Sequence, residues 1–149
     1  MIRQFRSEDA PACCSLIHAC LESDSSFSMI LREKLRGSET PLTMNERARL
    51  FYVAVCELGN QILGVAGLDM NEIRLLYVSP EHQRRGIGRT LFEHFKAMVP
   101  GTLFPDIFVY SSIQAVGFYK TCGFIEGGPF IFDIGGHPLR TIFMTFPTR

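Results

Sequence analysis

Residues Gln83-Arg84-Arg85-Gly86-Ile87-Gly88-Arg89 form the most chemically loaded stretch of the chain. Arg84, Arg85 and Arg89 gather around two close glycines, directly ahead of an apolar helical pattern. The start of a helix leaves main-chain N–H groups free, and its dipole adds about half a positive charge. With the arginines beside it, such a loop suits a phosphate. Glycine lets a bulky ligand reach the main chain without meeting a Cβ.

Three kinds of phosphate loop can be compared with this one. A P-loop needs Lys followed by Ser or Thr after its last glycine, and this loop has no such pair. A dinucleotide loop needs a third glycine where Leu91 stands, and it opens a βαβ unit near the first strand. Here the loop lies mid-chain, after an antiparallel hairpin pattern. The third is Q/R-x-x-G-x-G/A, which Gln83-Arg84-Arg85-Gly86-Ile87-Gly88 matches. With the strand Glu72–Val78 and the Val78-Ser79-Pro80 step before it, this loop resembles the coenzyme A loop of the GNAT superfamily of N-acetyltransferases. A second stretch carries the same resemblance. Ile107–Tyr110 reads as a strand, Ser112–Thr121 as a helix, and Phe118-Tyr119-Lys120-x-x-Gly123-Phe124 is similar to that family's A-x-x-F-Y-x-x-x-G-F signature. Gly123 stands where a helix exits through a left-handed residue, with Phe124 as the hydrophobic contact that follows.

The resemblance implies an acetyl-CoA-dependent N-acetyltransferase that moves an acetyl group to a primary amine by direct attack, through a tetrahedral intermediate. Acetyl-CoA would be its cosubstrate. The pyrophosphate would lie on Gln83, Arg84, Arg85, Gly86, Ile87, Gly88 and Arg89. The pantetheine arm would pair with the strand edge at Leu76, Tyr77 and Val78, because a sheet edge offers unused N–H and C=O groups to an amide-bearing ligand. The family's catalytic glutamate corresponds to Glu72, which would take a proton from the amine. Asp69 and His137 are weaker alternatives, and a water chain is the third. Tyr119 matches the tyrosine that protonates the leaving thiolate. Ser112 stands where many members have an asparagine touching the pantetheine, and it reaches less far. Ile107 stands where some peptide N-terminal acetyltransferases carry a glutamate, which argues against their mechanism here.

Composition fits this reading without demanding it. The chain has 149 residues, 46% of them hydrophobic, enough for one domain spanning residues 1–149 with a full core. Fifteen Lys and Arg balance fifteen Asp and Glu, so net charge points to neither nucleic acid nor a membrane surface. No run is long enough to cross a bilayer, and no signal-peptide core is present, so a cytoplasmic protein is expected. Cys13, Cys14, Cys20, Cys56 and Cys122 are odd in number and lack metal-ligand spacing, as do the four histidines. Buried free thiols, and no metal, are expected.

The elements needed to hold this site follow from local patterns. Ile2–Arg6 reads as a strand, with Ser7 as the cap of a helix carrying Cys13, Leu16, Ile17, Cys20 and Leu21 on one stripe. Phe27 to Leu35 predicts a second helix ended by Gly37. Thr43-Met44-Asn45-Glu46 predicts a third, by its capping-box spacing, running to about Leu50. Phe51–Glu57 and Gln61–Asp69 flank a Gly59-Asn60 turn. In Glu72–Val78, strict alternation puts Ile73, Leu75 and Tyr77 on one face and Arg74, Leu76 and Val78 on the other. The helix after the loop carries Leu91, Phe92, Phe95, Met98 and Val99 on its buried stripe. Pro129–Ile134 and Leu139–Phe146 are the last strands, joined at Gly135-Gly136-His137-Pro138. The fold class is α/β: a mixed, mostly antiparallel central sheet flanked by helices, as in the GNAT-type acyl-CoA N-acyltransferase fold.

Acceptor sites in this fold are built from the region after the first helix and from the last hairpin, here about residues 23–45 and 130–140. The first is mixed in charge, with Glu22, Asp24, Glu33 and Glu39 against Arg32, Lys34 and Arg36. The second is apolar, with Phe130, Ile131, Phe132 and Ile134, which also suit a core. A small-molecule amine is the expected acceptor, with a protein or peptide amine as the alternative. A non-catalytic acyl-CoA sensor is the rival reading. A homodimer is compatible with the family resemblance.

Overall fold

The computed structural model describes residues 1–149. The chain forms β1 (Ile2–Gln4), α1 (Ala10–Ser23), α2 (Met29–Ser38), α3 (Pro41–Leu50), β2 (Tyr52–Leu58), β3 (Gln61–Asp69), β4 (Glu72–Val78), α4 (Ile87–Lys96), β5 (Asp106–Ser112), α5 (Val116–Thr121), β6 (Ile125–Ile134) and β7 (His137–Pro147). All strands join one seven-stranded sheet in the order β1-β2-β3-β4-β5-β7-β6. Every pairing is antiparallel except β4 with β5. The expected α/β class and mixed, mostly antiparallel sheet are therefore present.

Local chemistry explains where the helices start, and it differs from expectation in three places. Ser7 lies in a short 3-10 turn and caps nothing; the Asp9 carboxylate accepts the Arg6 N–H at 2.8 Å instead. Arg3 also grips Asp9 through two hydrogen bonds, so the acid that opens α1 is already committed to β1. Ser28 caps α2 by accepting from the Leu31 N–H, and Gly37 sits inside that helix rather than ending it. The reciprocal cap of α3 is Thr40 with Thr43, two residues of like chemistry three apart. Thr43 is thus the partner of the cap, and Pro41 takes the first helical position, where its missing N–H costs nothing.

Two hydrophobic layers sandwich the sheet. On one face α4 and α5 bury Leu91, Phe92, Phe95, Tyr119 and Phe124 against Ala66, Leu68, Ile73, Ile107, Val109 and Met144. On the other, α1 and α3 bury Cys13, Leu16, Ile17 and Met44 against Val53, Val55 and Val65. Met98 is exposed, because α4 stops at Lys96 and the stripe turns away from the sheet. All five cysteines are free; four are buried and Cys20 is half-buried. Desolvation pushes the Cys20 thiol up to about 11, which leaves it protonated.

Alternation fails in β4, for a reason that shapes the site. The register with β3 shifts between Gly67–Leu75 and Leu68–Ile73, so Arg74 is an extra residue bulging from the strand. Leu75 and Tyr77 face the α1 side, while Ile73 is carried to the α4 side with Leu76. The predicted single face of Ile73, Leu75 and Tyr77 is therefore split.

Candidate active site

Strands β4 and β5 pair only at Glu72–Phe108 and Ile73–Val109, and then diverge. The closed end is pinned by Asn71, whose carbonyl accepts the Phe108 N–H and whose amide donates to the Asp106 carbonyl. Beyond Ile73 the β5 side of β4 has no strand against it. The Ser79 N–H donates to the Leu63 carbonyl on β3. By alternation, Tyr77 also directs its main chain to β3, while Leu76 and Val78 direct theirs into the gap. That is an unused strand edge inside the protein, where amide groups of a ligand can be received. The Val78 carbonyl is already taken, accepting from the Cys20 thiol and the Gln83 side chain, each at 3.1 Å.

The basic loop lies at the wide end of this gap. Gln83 turns its amide back on Val78, so it fastens the loop rather than facing outward. Arg84 has a φ of +64° and Gly86 one of +84°; these two left-handed residues wrap the chain around the start of α4. The first hydrogen bond of that helix is from Thr90 to Gly86, leaving the N–H groups of Ile87, Gly88 and Arg89 without main-chain partners. Arg84 and Arg85 are exposed and form no ion pair. Arg89 differs, because its guanidinium donates to the Thr121 carbonyl at the end of α5. Its main-chain N–H remains free for an anion while its side chain ties two helices together.

The two glycines have separate reasons to be glycine. A Cβ on Gly86 would meet nothing within 4 Å, so only its backbone conformation and open approach require glycine. A Cβ on Gly88 would lie 2.9 Å from the Phe118 ring. Gly88 therefore lets α5 pack onto α4 and brings Tyr119, the next residue, to the gap.

Tyr119 is only 4% exposed. Its ring stands edge-on to Phe118 and Phe124, each 5.1 Å away. The helix exit holds it there: the Phe124 N–H reaches back to the Tyr119 carbonyl, and Gly123 takes a φ of +104°. Its hydroxyl has no hydrogen-bond partner in the chain, and desolvation pushes the phenol well above its ordinary value, with Tyr77 close enough to add to the effect. A phenol held protonated is a donor waiting for an acceptor.

On the α1 side, a cleft of about 300 Å³ is lined by Glu72, Tyr77 and Ser112 together with Arg74, Glu39 and apolar side chains from Leu21, Phe27, Leu35, Tyr110, Phe132 and Leu139. Glu72, at the closed end of the gap, has its carboxylate 3.7 Å from Arg74, too far for a hydrogen bond. Desolvation raises its carboxyl above the usual range; Arg74 opposes this and Asp69 adds to it. Asp69 is itself held by Arg74 at 3.2 Å. His137 lines a neighbouring pocket with Ser28 and Arg140, not this one. Of the four acids expected near the acceptor, Glu39 alone reaches the cleft, and Arg47 grips both its oxygens. Tyr119 lies outside the cleft lining, on the α5 side of the gap. The bulge at Arg74 and the clasp at Asn71 had no legible signal in the sequence, since neither residue type marks a bulge or a splay.

A family model described as an acetyltransferase (GNAT) domain matches residues 28–135. The peptidyl-lysine N-acetyltransferase YjaB of Salmonella typhimurium is 31% identical over 96 residues, 64% of this chain and 64% of that protein, so the match spans a little under two thirds of that relative. The crystal structure of a GCN5-related N-acetyltransferase from Rhodopseudomonas palustris superposes with a TM-score of 0.91 at 21% identity, over 99% of this chain and 94% of the other. YncA from Salmonella typhimurium, solved with its cofactor acetyl-CoA, has a TM-score of 0.70 at 16% identity, over 100% and 94% of the two chains. These two likenesses concern the fold.

Proposed function

The chain belongs to the GNAT acetyltransferase family, and from that premise we propose that residues 1–149 act as one catalytic domain, moving an acetyl group from acetyl-CoA to a primary amine. The observation that carries this reading is the gap between β4 and β5, with free main-chain groups along one side and the Gln83–Arg89 loop at its mouth. The pyrophosphate is received by the N–H groups of Ile87, Gly88 and Arg89, with Arg84 and Arg85 supplying mobile charge. Leu76 offers its main chain and Val78 its N–H to the pantetheine amides, and Tyr77 packs behind them. Ser112 closes the β5 side. When bound, the coenzyme supplies an acetyl carbon activated as a thioester.

The amine arrives charged, because at pH 7 only about one alkylamine in two thousand is neutral. Glu72 takes the first proton, directly or through a water. Its raised pKa suits this task, since a base works best when it titrates near the operating pH. The nitrogen–carbon bond then forms a tetrahedral intermediate; as its carbon–sulfur bond breaks, the departing sulfur takes a proton, and the second proton leaving the nitrogen replaces it, through water, on the donor. Tyr119 offers its hydroxyl for that step. The phenol is a weaker acid than a thiol, so this donation stabilises developing charge more than it drives the reaction downhill.

Two features favour a small acceptor: the cleft between α1, α2 and the last hairpin measures about 300 Å³, and most of its lining is apolar. The curated relative supports a second reading, a peptidyl-lysine acceptor, by its name. No helix is long and apolar enough to cross a membrane. Thiol release from acetyl-CoA, followed with a chromogenic disulfide across arylalkylamines, polyamines, aminoglycosides and lysine peptides, tests the proposal. Release with an amine is expected. Tight acetyl-CoA binding with no release from any class would favour a sensor domain instead.

A further inference from the structure

The sheet face that floors the cleft continues past it as a layer of aromatic rings. In β5, Ile107 and Val109 are buried against α4, so Phe108 and Tyr110 face the other way. Glu72 pairs with Phe108 and points to this same side. Tyr110 pairs with Phe143, Thr141 with Phe130, and Leu139 with Phe132, which carries the row across β7 to β6. The ring centroids run unbroken: Phe108 to Phe143 at 5.8 Å, Phe143 to Tyr110 at 5.3 Å, Tyr110 to Phe130 at 5.0 Å, and Phe130 to Phe132 at 4.8 Å. All five are only partly covered, and Phe130 is 45% exposed. The helices α1 and α3 cover this face over β2 and β3 but do not reach it here, and α2 meets only the last hairpin beside the cleft.

We propose that this wall receives the body of the acceptor, and that the acceptor is a singly charged primary amine on an aromatic ring. This rests on the amine-acetyltransferase reading of the same site. Continuity decides the placement: Tyr110 and Phe132 line the cleft that holds Glu72, so a ring stacked on them leaves its amine beside that carboxylate. Charge decides the valence. Glu39, the other acid of the cleft, has both oxygens bonded to Arg47, which leaves Glu72 as the one loosely paired carboxylate. A second ammonium would meet Arg74 and Arg47 rather than a carboxylate. Stacked or edge-on aromatic contacts favour a flat ring over an alkyl chain, and the ring faces also attract the ammonium.

The test is calorimetric binding of 2-phenylethylamine, n-propylamine, spermidine and an Nα-capped lysine peptide to the whole protein with coenzyme A present. About tenfold tighter binding of 2-phenylethylamine than of the other three is expected. Phe132→Ala should weaken 2-phenylethylamine about tenfold and n-propylamine less than twofold. Phe130→Ala, at a half-exposed position, should do the same to a smaller degree. Equal affinity for the aryl and alkyl amines, tighter binding of spermidine or the peptide, or an equal loss for all amines in both variants would overturn the assignment. Thiol release measured separately on the same proteins and amines, with acetyl-CoA as donor, separates the two readings. Selective aryl binding without turnover would support the wall and count against acetyl transfer.

Discussion

Strand β3 is buried along most of its length, whereas β6, ten residues long, has hardly a covered position. The first half of the sheet is closed on both faces, by α4 on one side and by α1 and α3 on the other. The second half is closed on one face, and on the other only α2 meets it, at the last hairpin. Composition follows this division. Val53-Ala54-Val55-Cys56 and Leu63-Gly64-Val65-Ala66 are unbroken apolar runs, as expected of strands with no wet face. On β5, β6 and β7 the open face carries rings that are large, flat and rigid. The covered half holds the fold together, and the open half is free to meet a ligand. Where they join, at β4 and β5, the sheet splits. Substitutions should separate accordingly: those in the covered half should cost stability and those at the seam or on the open half should cost activity.

The seam should give the largest effect. Glu72→Gln should lower kcat/KM by roughly 10²- to 10⁴-fold, the range for a lost general base, with the thermal midpoint unchanged because its only ion pair is loose. In the parent enzyme kcat/KM should rise with pH as the Glu72 carboxyl, held above its ordinary value, deprotonates; the variant should lack that acid limb. Turnover unaltered by the substitution would assign the proton to a water chain. Tyr119→Phe should lower kcat to a similar extent and leave the KM for acetyl-CoA alone. Equal turnover would make Tyr119 a core aromatic and nothing more.

Next comes the covered half. Met44 is fully buried beneath α1. Met44→Ala should cost about 2–5 kcal/mol of stability by urea unfolding while acetyl-CoA affinity in the folded fraction stays the same. Phe130→Ala should change the urea midpoint little. If both cost the same, the two halves are not divided as argued.

The loop glycines sharpen the comparison within a few residues. Gly88→Ala places a methyl against the Phe118 ring, and overpacking of this kind costs about 1–3 kcal/mol. Gly86→Val finds open space but a φ that a β-branched residue resists, and its bulk stands where a phosphate would approach. It should weaken acetyl-CoA binding more than it lowers the thermal midpoint. Normal affinity in a folded Gly86→Val protein would remove this loop from the binding site.

Much of this was legible in the residues, and the losses have physical causes. The bounds of β4 and the hairpin at Gly59-Asn60 match the reading because glycine and asparagine mark the turn and apolar runs mark the strands. The split of Ile73 from Leu75 and Tyr77 was not legible, because a bulge is set by pairing with β3 and not by β4 alone. Thr40 and Thr43 are chemically alike, so spacing could not say which of them caps α3. Phe130 and Phe132 fit a core as well as a wall; only the folded helices decide that α1 and α3 stop short of them and that α2 meets the last hairpin beside Phe132. Glu72 and Ser112 line one cleft, a meeting that spacing along the chain could not show, and Arg89 and Gln83 spend their side chains on α5 and Val78.

The smallest effect is expected at the edge of the covered half, where Arg3 on β1 bonds both Asp9 and Glu57. The hydrogen bond from Arg3 is the main reason both carboxyls lie below their ordinary values, with burial opposing it. The sign is that of a depressed acid: the stabilisation is fully present above the unfolded carboxylate range, about 3.9–4.3, and is lost as pH falls through the lower folded values. Asp9→Asn should therefore reduce stability at neutral pH and flatten its decline in acid, because one of the protons taken up on unfolding no longer counts. Thermal midpoints measured between pH 7 and pH 2 should converge for the two proteins at the acid end. Parallel curves would mean that other carboxylates govern acid unfolding. The open half has a single cross-element ion pair, Lys120 with Glu126, and both side chains are about half exposed, so its removal should leave the acid slope untouched.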